Sequence, residues 1–265
     1  MKPLFSLPRL DLVLAGLALM ATNLPAQITI LTLGAAVTEN FDAIGGTATA
    51  SLPAFWQMTA AGDTTVSWTD PTNVTATTLQ ASSGSPSGGG RYNWGQSSSD
   101  RAIGFMTSSS FASPNSILAH FSNDTGSTID QLNISFDYER YRINTAVASI
   151  SFYYSTDGAS WAAASSGDSG AFSTGASTYG FTTLVSSVSS SVTLTSLNLS
   201  PAADFYLRWS FNTIGTNSQG LGLDNVSLSA SAVPEPSTYA AISGVVALLG
   251  AGWHRRRQRA PHRGL

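Results

Sequence analysis

Leu132, Ile134, Phe136 and Tyr138 alternate with Asn133, Ser135, Asp137 and Glu139. The same period of two recurs at Ile150, Phe152 and Tyr154, at Val192 and Leu194, and at Phe205, Leu207, Trp209 and Phe211, where Tyr206, Arg208 and Ser210 take the other face. Alternation of this kind predicts antiparallel strands with one buried face. Turn formers separate the runs: Asn123-Asp124-Thr125-Gly126, Asp157-Gly158 and Asn198-Leu199-Ser200-Pro201. No amphipathic helix pattern interrupts residues 27–232. Roughly ten short strands without helices predict an all-β fold, a two-sheet antiparallel sandwich of jelly-roll type. Trp56, Trp68, Trp94, Trp161 and Trp209 are expected to supply large buried areas. The polar, glycine-rich stretches 82–90 and 165–178 read as surface loops.

The two ends break the pattern. Leu12 to Ala21 is an apolar run of ten behind Lys2 and Arg9, and Leu24-Pro25-Ala26 offers a small residue before Gln27. Residues 1–26 therefore read as a secretion signal peptide, since a mature span needs about 20 apolar residues. At the other end stands Pro234-Glu235-Pro236, then an apolar stretch over 239–253, then Arg255, Arg256, Arg257 and Arg259. The prolines hold an extended, accessible segment. The apolar stretch can enter a bilayer with thinning, and the arginines stay cytoplasmic, so the body points outward. This ordered triplet over 233–259 resembles the PEP-CTERM sorting signal. The resemblance implies an exosortase-type processing enzyme as partner. It also implies a transient anchor in the inner membrane and a destination at the cell surface or in an extracellular polysaccharide matrix.

Charge and chemistry narrow the classes further. Only 10% of the residues are charged and there is no cysteine, which excludes disulfides, thiolate metal sites and cysteine nucleophiles. Residues 27–233 hold 13 acids against five arginines (91, 101, 140, 142 and 208) and no lysine, a net charge of 5 − 13 = −8. Nucleic acid is not an expected partner of such a body. Its one histidine, His120, lacks a Gly-x-Ser-x-Gly elbow, so no catalytic residue is assigned. Asp137 and Glu139 share one strand face about 6–7 Å apart, which suits glycoside hydrolysis. The adjoining Arg140 and Arg142 favour a charge-paired surface instead.

Glu39-Asn40-Phe41-Asp42 and Gly222-Leu223-Asp224-Asn225-Val226-Ser227-Leu228 resemble the first and last strands of secreted jelly-roll modules, including MAM-like and carbohydrate-binding types. The resemblance implies that those strands lie side by side. The phase slip between Leu223 and Val226 predicts a β-bulge. Glu39 or Asp42 could then share a structural calcium ion with Asp224, or the bulge residues could satisfy backbone donors instead. Tyr92, Asn93 and Trp94 form the leading candidate for an exposed aromatic sugar site, with Tyr153 and Trp161 second; the alternative is that Trp94 is core. The expected function is that of a non-enzymatic surface or extracellular-matrix protein. A carbohydrate-binding or adhesion module is the alternative, and a glycoside-active enzyme fits less well.

Overall fold

The computed structural model describes residues 28–95, 99–216 and 218–232, together with 243–249, 251, 253 and 255. The expected leader (1–26), Pro234-Glu235-Pro236, and Arg256, Arg257 and Arg259 lie outside the described residues. Residues 243–249, 251, 253 and 255 are helical and exposed. Among the described residues no helix is long and apolar enough to cross a membrane.

The strands, in chain order, are β1 (Ile28–Ile30), β2 (Ala36–Glu39), β3 (Trp56–Met58), β4 (Leu79–Ala81), β5 (Gly90–Gly95), β6 (Arg101–Met106), β7 (Asn115–Asn123), β8 (Ile129–Ile143), β9 (Ala148–Ser155), β10 (Ala162–Ala163), β11 (Ala171–Phe172), β12 (Thr178–Tyr179), β13 (Ser186–Leu194), β14 (Asp204–Thr213) and β15 (Gly220–Ala232). They form a sandwich of two sheets. The seven-stranded sheet runs β1-β7-β14-β9-β10, with β3 also on β7 and β11 also on β9. The eight-stranded sheet runs β12-β8-β15-β6-β5-β4, with β13 also on β8 and β2 also on β15. Pairing is antiparallel except for β1 with β7 and β4 with β5. Both exceptions involve three-residue strands, and the glycine-rich 82–89 stretch brings β5 back in the direction of β4.

The alternating positions meet between the sheets. Leu132, Ile134, Phe136 and Tyr138 of β8 pack with Ile150 and Phe152 of β9 and with Phe205, Leu207, Trp209 and Phe211 of β14. Trp209 lies at the centre, stacked on Trp56 at 5.7 Å and edge-on to Phe136 at 5.5 Å. The opening and closing segments are neighbours: Glu39 of β2 pairs with Val226 of β15. The expected bulge is present. Asp224 pairs with Asp137 and Ser227 with Ser135, so β15 spends one residue more than β8 across this step, and Asn225 takes a left-handed φ of 51°.

Candidate functional site

Each sheet has an outer face, and aromatic side chains stand on both. On the eight-stranded sheet, Tyr92 and Trp94 of β5 stack at 4.0 Å, Trp94 stacks on Tyr141 at 5.3 Å, and Phe181 closes the group. The register of β8 and β15 slips between Gly220 and Leu221, which turns both Tyr141 and Arg142 toward this cluster. The cluster is a second, small core. Tyr92 and Trp94 are 2% and 0% exposed, Asn93 is fully buried, and burial pushes the Tyr92 hydroxyl up to about 12. The Trp94 indole donates to Leu221 O, and Asn93 holds the 45–47 turn through Gly45 O and Thr47 O. Tyr92, Asn93 and Trp94 thus do not form the exposed sugar patch expected of them. The Tyr92 hydroxyl donates to Gly88 O and the Tyr179 hydroxyl to Pro86 O, which ties the 82–90 loop to the cluster.

Beside this core lies a group of acids. Asp224 and Glu139 are 2% and 5% exposed. Burial pushes Asp224 up to about 8, aided by Glu139, Asp100 and Asp42, and pushes Glu139 up to about 7, aided by Asp100, Asp137 and Asp42. The Tyr141 hydroxyl donates to Glu139, and Asp224 accepts from the Asn225 amide at the bulge. The other two acids expected around calcium face local donors. Glu39 accepts from the Phe41 amide at 2.7 Å; Asp42 accepts from the Arg101 amide and the Asn40 side chain. Among the described residues no three of Asp, Glu and His converge to hold a metal ion. Asp137 accepts from Ser189 and Asn225. Arg140 and Arg142 make no ion pair with it or with Glu139: the first reaches Ser173 and Gln219, the second Met106 and Ser177.

The outer face of the seven-stranded sheet is built differently. Opposite positions on β7, β14 and β9 bring together His120 with Tyr206 and Arg208 with Tyr153. Two connections cross this face. One carries Trp68 and the other, the Asp157-Gly158 turn, leads to Trp161. They are braced to each other: the Trp68 amide donates to Gly158 O at 2.8 Å, and the Trp161 indole donates to Val66 O at 2.8 Å. Asp157 caps the turn by accepting from the Ala159 and Ser160 amides and the Ser155 hydroxyl, and these donors pull its pKa well below the usual carboxylate range. Gly158 has φ 71°, and a Cβ there would stand 3.0 Å from Trp68 and 3.2 Å from the Tyr206 ring.

The result is a row of half-buried aromatics. Trp68 packs on His120 at 5.1 Å and on Tyr206 at 5.8 Å. The Arg208 guanidinium lies 5.0 Å from the Tyr153 ring centroid and 5.8 Å from that of Trp161. Trp68, Trp161 and Tyr153 keep part of their surface in solvent, so two of the five tryptophans expected in the core stand here instead. Polar groups surround them. Asp63 acts on Arg208 through space, and Asp157 and Asp204 act on Tyr206. His120 Nε2 is 2.9 Å from Asp204, while its Nδ1 meets no hydrogen-bond partner, so no serine completes a triad with it.

An apolar cavity of about 290 Å³ opens between the sheets beside β1 and β2, lined among others by Ile28, Val37, Phe55, Trp56 and Val226.

No family model and no curated protein matches the chain. Among solved structures it is similar to two cleaved adhesin domains of Lys-gingipain from Porphyromonas gingivalis. One, 14% identical at a TM-score of 0.42, matches over 73% of this chain and 98% of that domain. The other, 13% identical at 0.43, matches over 75% and 99%. A xylan-binding module is also similar, 12% identical at a TM-score of 0.36 over 76% of this chain and all of that one.

Proposed function

We propose that this chain is an exported surface or matrix protein whose jelly-roll sandwich binds carbohydrate on the outer face of its seven-stranded sheet. The observation that carries the reading is the braced row of Trp68, Trp161 and Tyr153, partly exposed beside Arg208 and Asp63. Sugars present flat apolar C–H faces and a rim of hydroxyls. Indole and phenol rings take the faces, and carboxylate and guanidinium groups take the rim. The two cross-braced connections hold these groups before a ligand arrives, which lowers the ordering cost of binding. The triplet of Pro234-Glu235-Pro236, apolar stretch and arginines supports export and exosortase-type sorting. Such sorting sends the body to a place where polysaccharide is the main partner on offer.

Retention on a glycan array tests the binding. The chain is retained, and Trp161→Ala or Trp68→Ala weakens retention about tenfold or more, as expected for loss of a central aromatic anchor. No retention on any glycan leaves a purely structural matrix part. Mass spectrometry of protein recovered from its host tests the sorting: a mature chain still carrying Arg255 to Arg259 contradicts it.

A further inference from the structure

We infer that the carbohydrate taken by this face carries a carboxylate group, set among neutral sugars, and that Arg208 receives it. The inference rests on the carbohydrate-binding reading above and names the ligand class within it.

The five arginines of the body differ in what they have left to give. Arg101 is fully buried, with Nε on Asn93 Oδ1, Nη1 on Ser82 and Nη2 on Asn93 O. Arg91 is held through Nε alone, on Thr59 O, but it lies over Phe111 and not over a ring of the aromatic row. Arg140 and Arg142 each use a terminal nitrogen within the fold and each lie over a ring, Phe172 and Tyr179 respectively. Arg208 also is held by Nε alone, which donates to Ser116 Oγ at 3.0 Å, and it is the one that packs on Tyr153 and Trp161 of the row. Among the described residues no acceptor meets its Nη1 or Nη2, and no carboxylate stands within ion-pair distance of it.

A half-buried cation with no carboxylate in direct contact is costly to keep. Ring packing against Tyr153 and Trp161 orients the guanidinium, and the Ser116 bond fixes one edge. Two terminal nitrogens then remain, which is the fork that a carboxylate fits with two parallel hydrogen bonds. The surroundings set a second condition. Asp63 lies near Arg208, Asp157 and Asp204 lie near Tyr206, and the body carries a net charge of −8. That field opposes a polymer with a carboxylate on every sugar. A sparsely charged chain can place one carboxylate on Arg208 while neutral sugars lie along Trp161, Tyr153 and Trp68.

The test uses the full chain, purified in mild detergent, in affinity electrophoresis. Three gels hold gellan (a uronate in each repeat), gellan with its carboxylates reduced to alcohols, and polygalacturonate. Gellan retains the chain at least about tenfold more tightly than the reduced polymer, the size expected when a charge-assisted hydrogen bond is lost, and more tightly than polygalacturonate. Arg208→Gln removes the preference for native over reduced gellan, and Arg208→Lys keeps part of it. Equal retention of the natural chain on native and reduced gellan overturns the inference and leaves carbohydrate binding standing, as does a preference that survives Arg208→Gln. Tighter retention on polygalacturonate overturns the sparse-charge condition. Retention on none of the three, together with silence on a broad glycan array, removes the binding face itself.

Discussion

The two outer faces of the sandwich carry similar residues and use them in opposite ways. On the eight-stranded sheet Tyr92, Trp94, Tyr141 and Phe181 lie flat against the strands and are sealed. On the seven-stranded sheet Trp68, Trp161 and Tyr153 stay half open. Glycine makes the difference. Gly220 and Gly222 leave a groove on β15: a Cβ at Gly220 would stand 2.9 Å from the Trp94 ring, and one at Gly222 would stand 3.0 Å from Ala102 and 3.2 Å from the Tyr141 ring. Without side chains there, the Trp94 indole sinks onto the strand and reaches Leu221 O. The matching strand on the other side, β14, presents Tyr206, Arg208 and Ser210 outward. Those side chains lift Trp68 and Trp161 away from the backbone. One face has become core; the other remains a platform.

Truncating one tryptophan on each face breaks this comparison most sharply. Trp94→Ala removes a fully buried ring and costs about 3–5 kcal/mol, read as a large drop in the denaturant midpoint. Trp161→Ala costs about 1 kcal/mol or less, because the ring is partly solvated already. Equal costs would mean that the second face is core as well.

The buried acids beside the sealed face set the next effect. Asp224 and Glu139 have folded-state pKa values raised to about 8 and about 7 from ordinary carboxylate values. An acid raised on folding favours the folded state while it is protonated. That contribution is complete below the unfolded value near 4 and is lost as pH rises through about 7 to 8. The domain is therefore expected to lose several kcal/mol between pH 5 and pH 9 at this pair, and Asp224→Asn flattens the curve. Melting at pH 8 with calcium and with chelator separates the two possible counter-charges. A higher midpoint in calcium assigns a cation to the pair, whereas coincident curves leave the proton.

Much of the sandwich was legible because strand alternation is a direct consequence of the pleat. Leu132 to Tyr138 and Phe205 to Phe211 point inward as their spacing requires, and the slip between Leu223 and Val226 marks the bulge. The choice of face was not legible. Trp94 and Trp161 look alike in sequence, and the sugar patch was expected at Tyr92, Asn93 and Trp94, where the structure has a sealed core. The missing signal was the pair Gly220 and Gly222, two alternate positions of one strand without side chains, which only a ring from the next strands can fill. Glu139 was misread for a related reason. Its outward parity suggested a surface charge, but the aromatic cluster covers that part of the face and leaves it 5% exposed. Tyr153 and Trp161, the second choice for a sugar site in the sequence, do stand on the open face.

The smallest expected effect probes how the open face is held. Gly158 has a left-handed φ of 71°, and a Cβ would come 3.0 Å from Trp68. Gly158→Ala thus combines a backbone penalty of roughly 1–2 kcal/mol with pressure on the ring that leads the row. Gly84 provides the control: its φ is also left-handed, at 75°, but a Cβ there meets nothing within 4 Å. Gly84→Ala carries the same backbone penalty without the contact, so Gly158→Ala should melt lower by whatever moving Trp68 and Tyr206 costs. Only Gly158→Ala should weaken glycan retention, because only it shifts Trp68 and the amide that donates to Gly158 O. Equal retention by the two variants would show that the brace between the connections stabilises the fold without organising the platform.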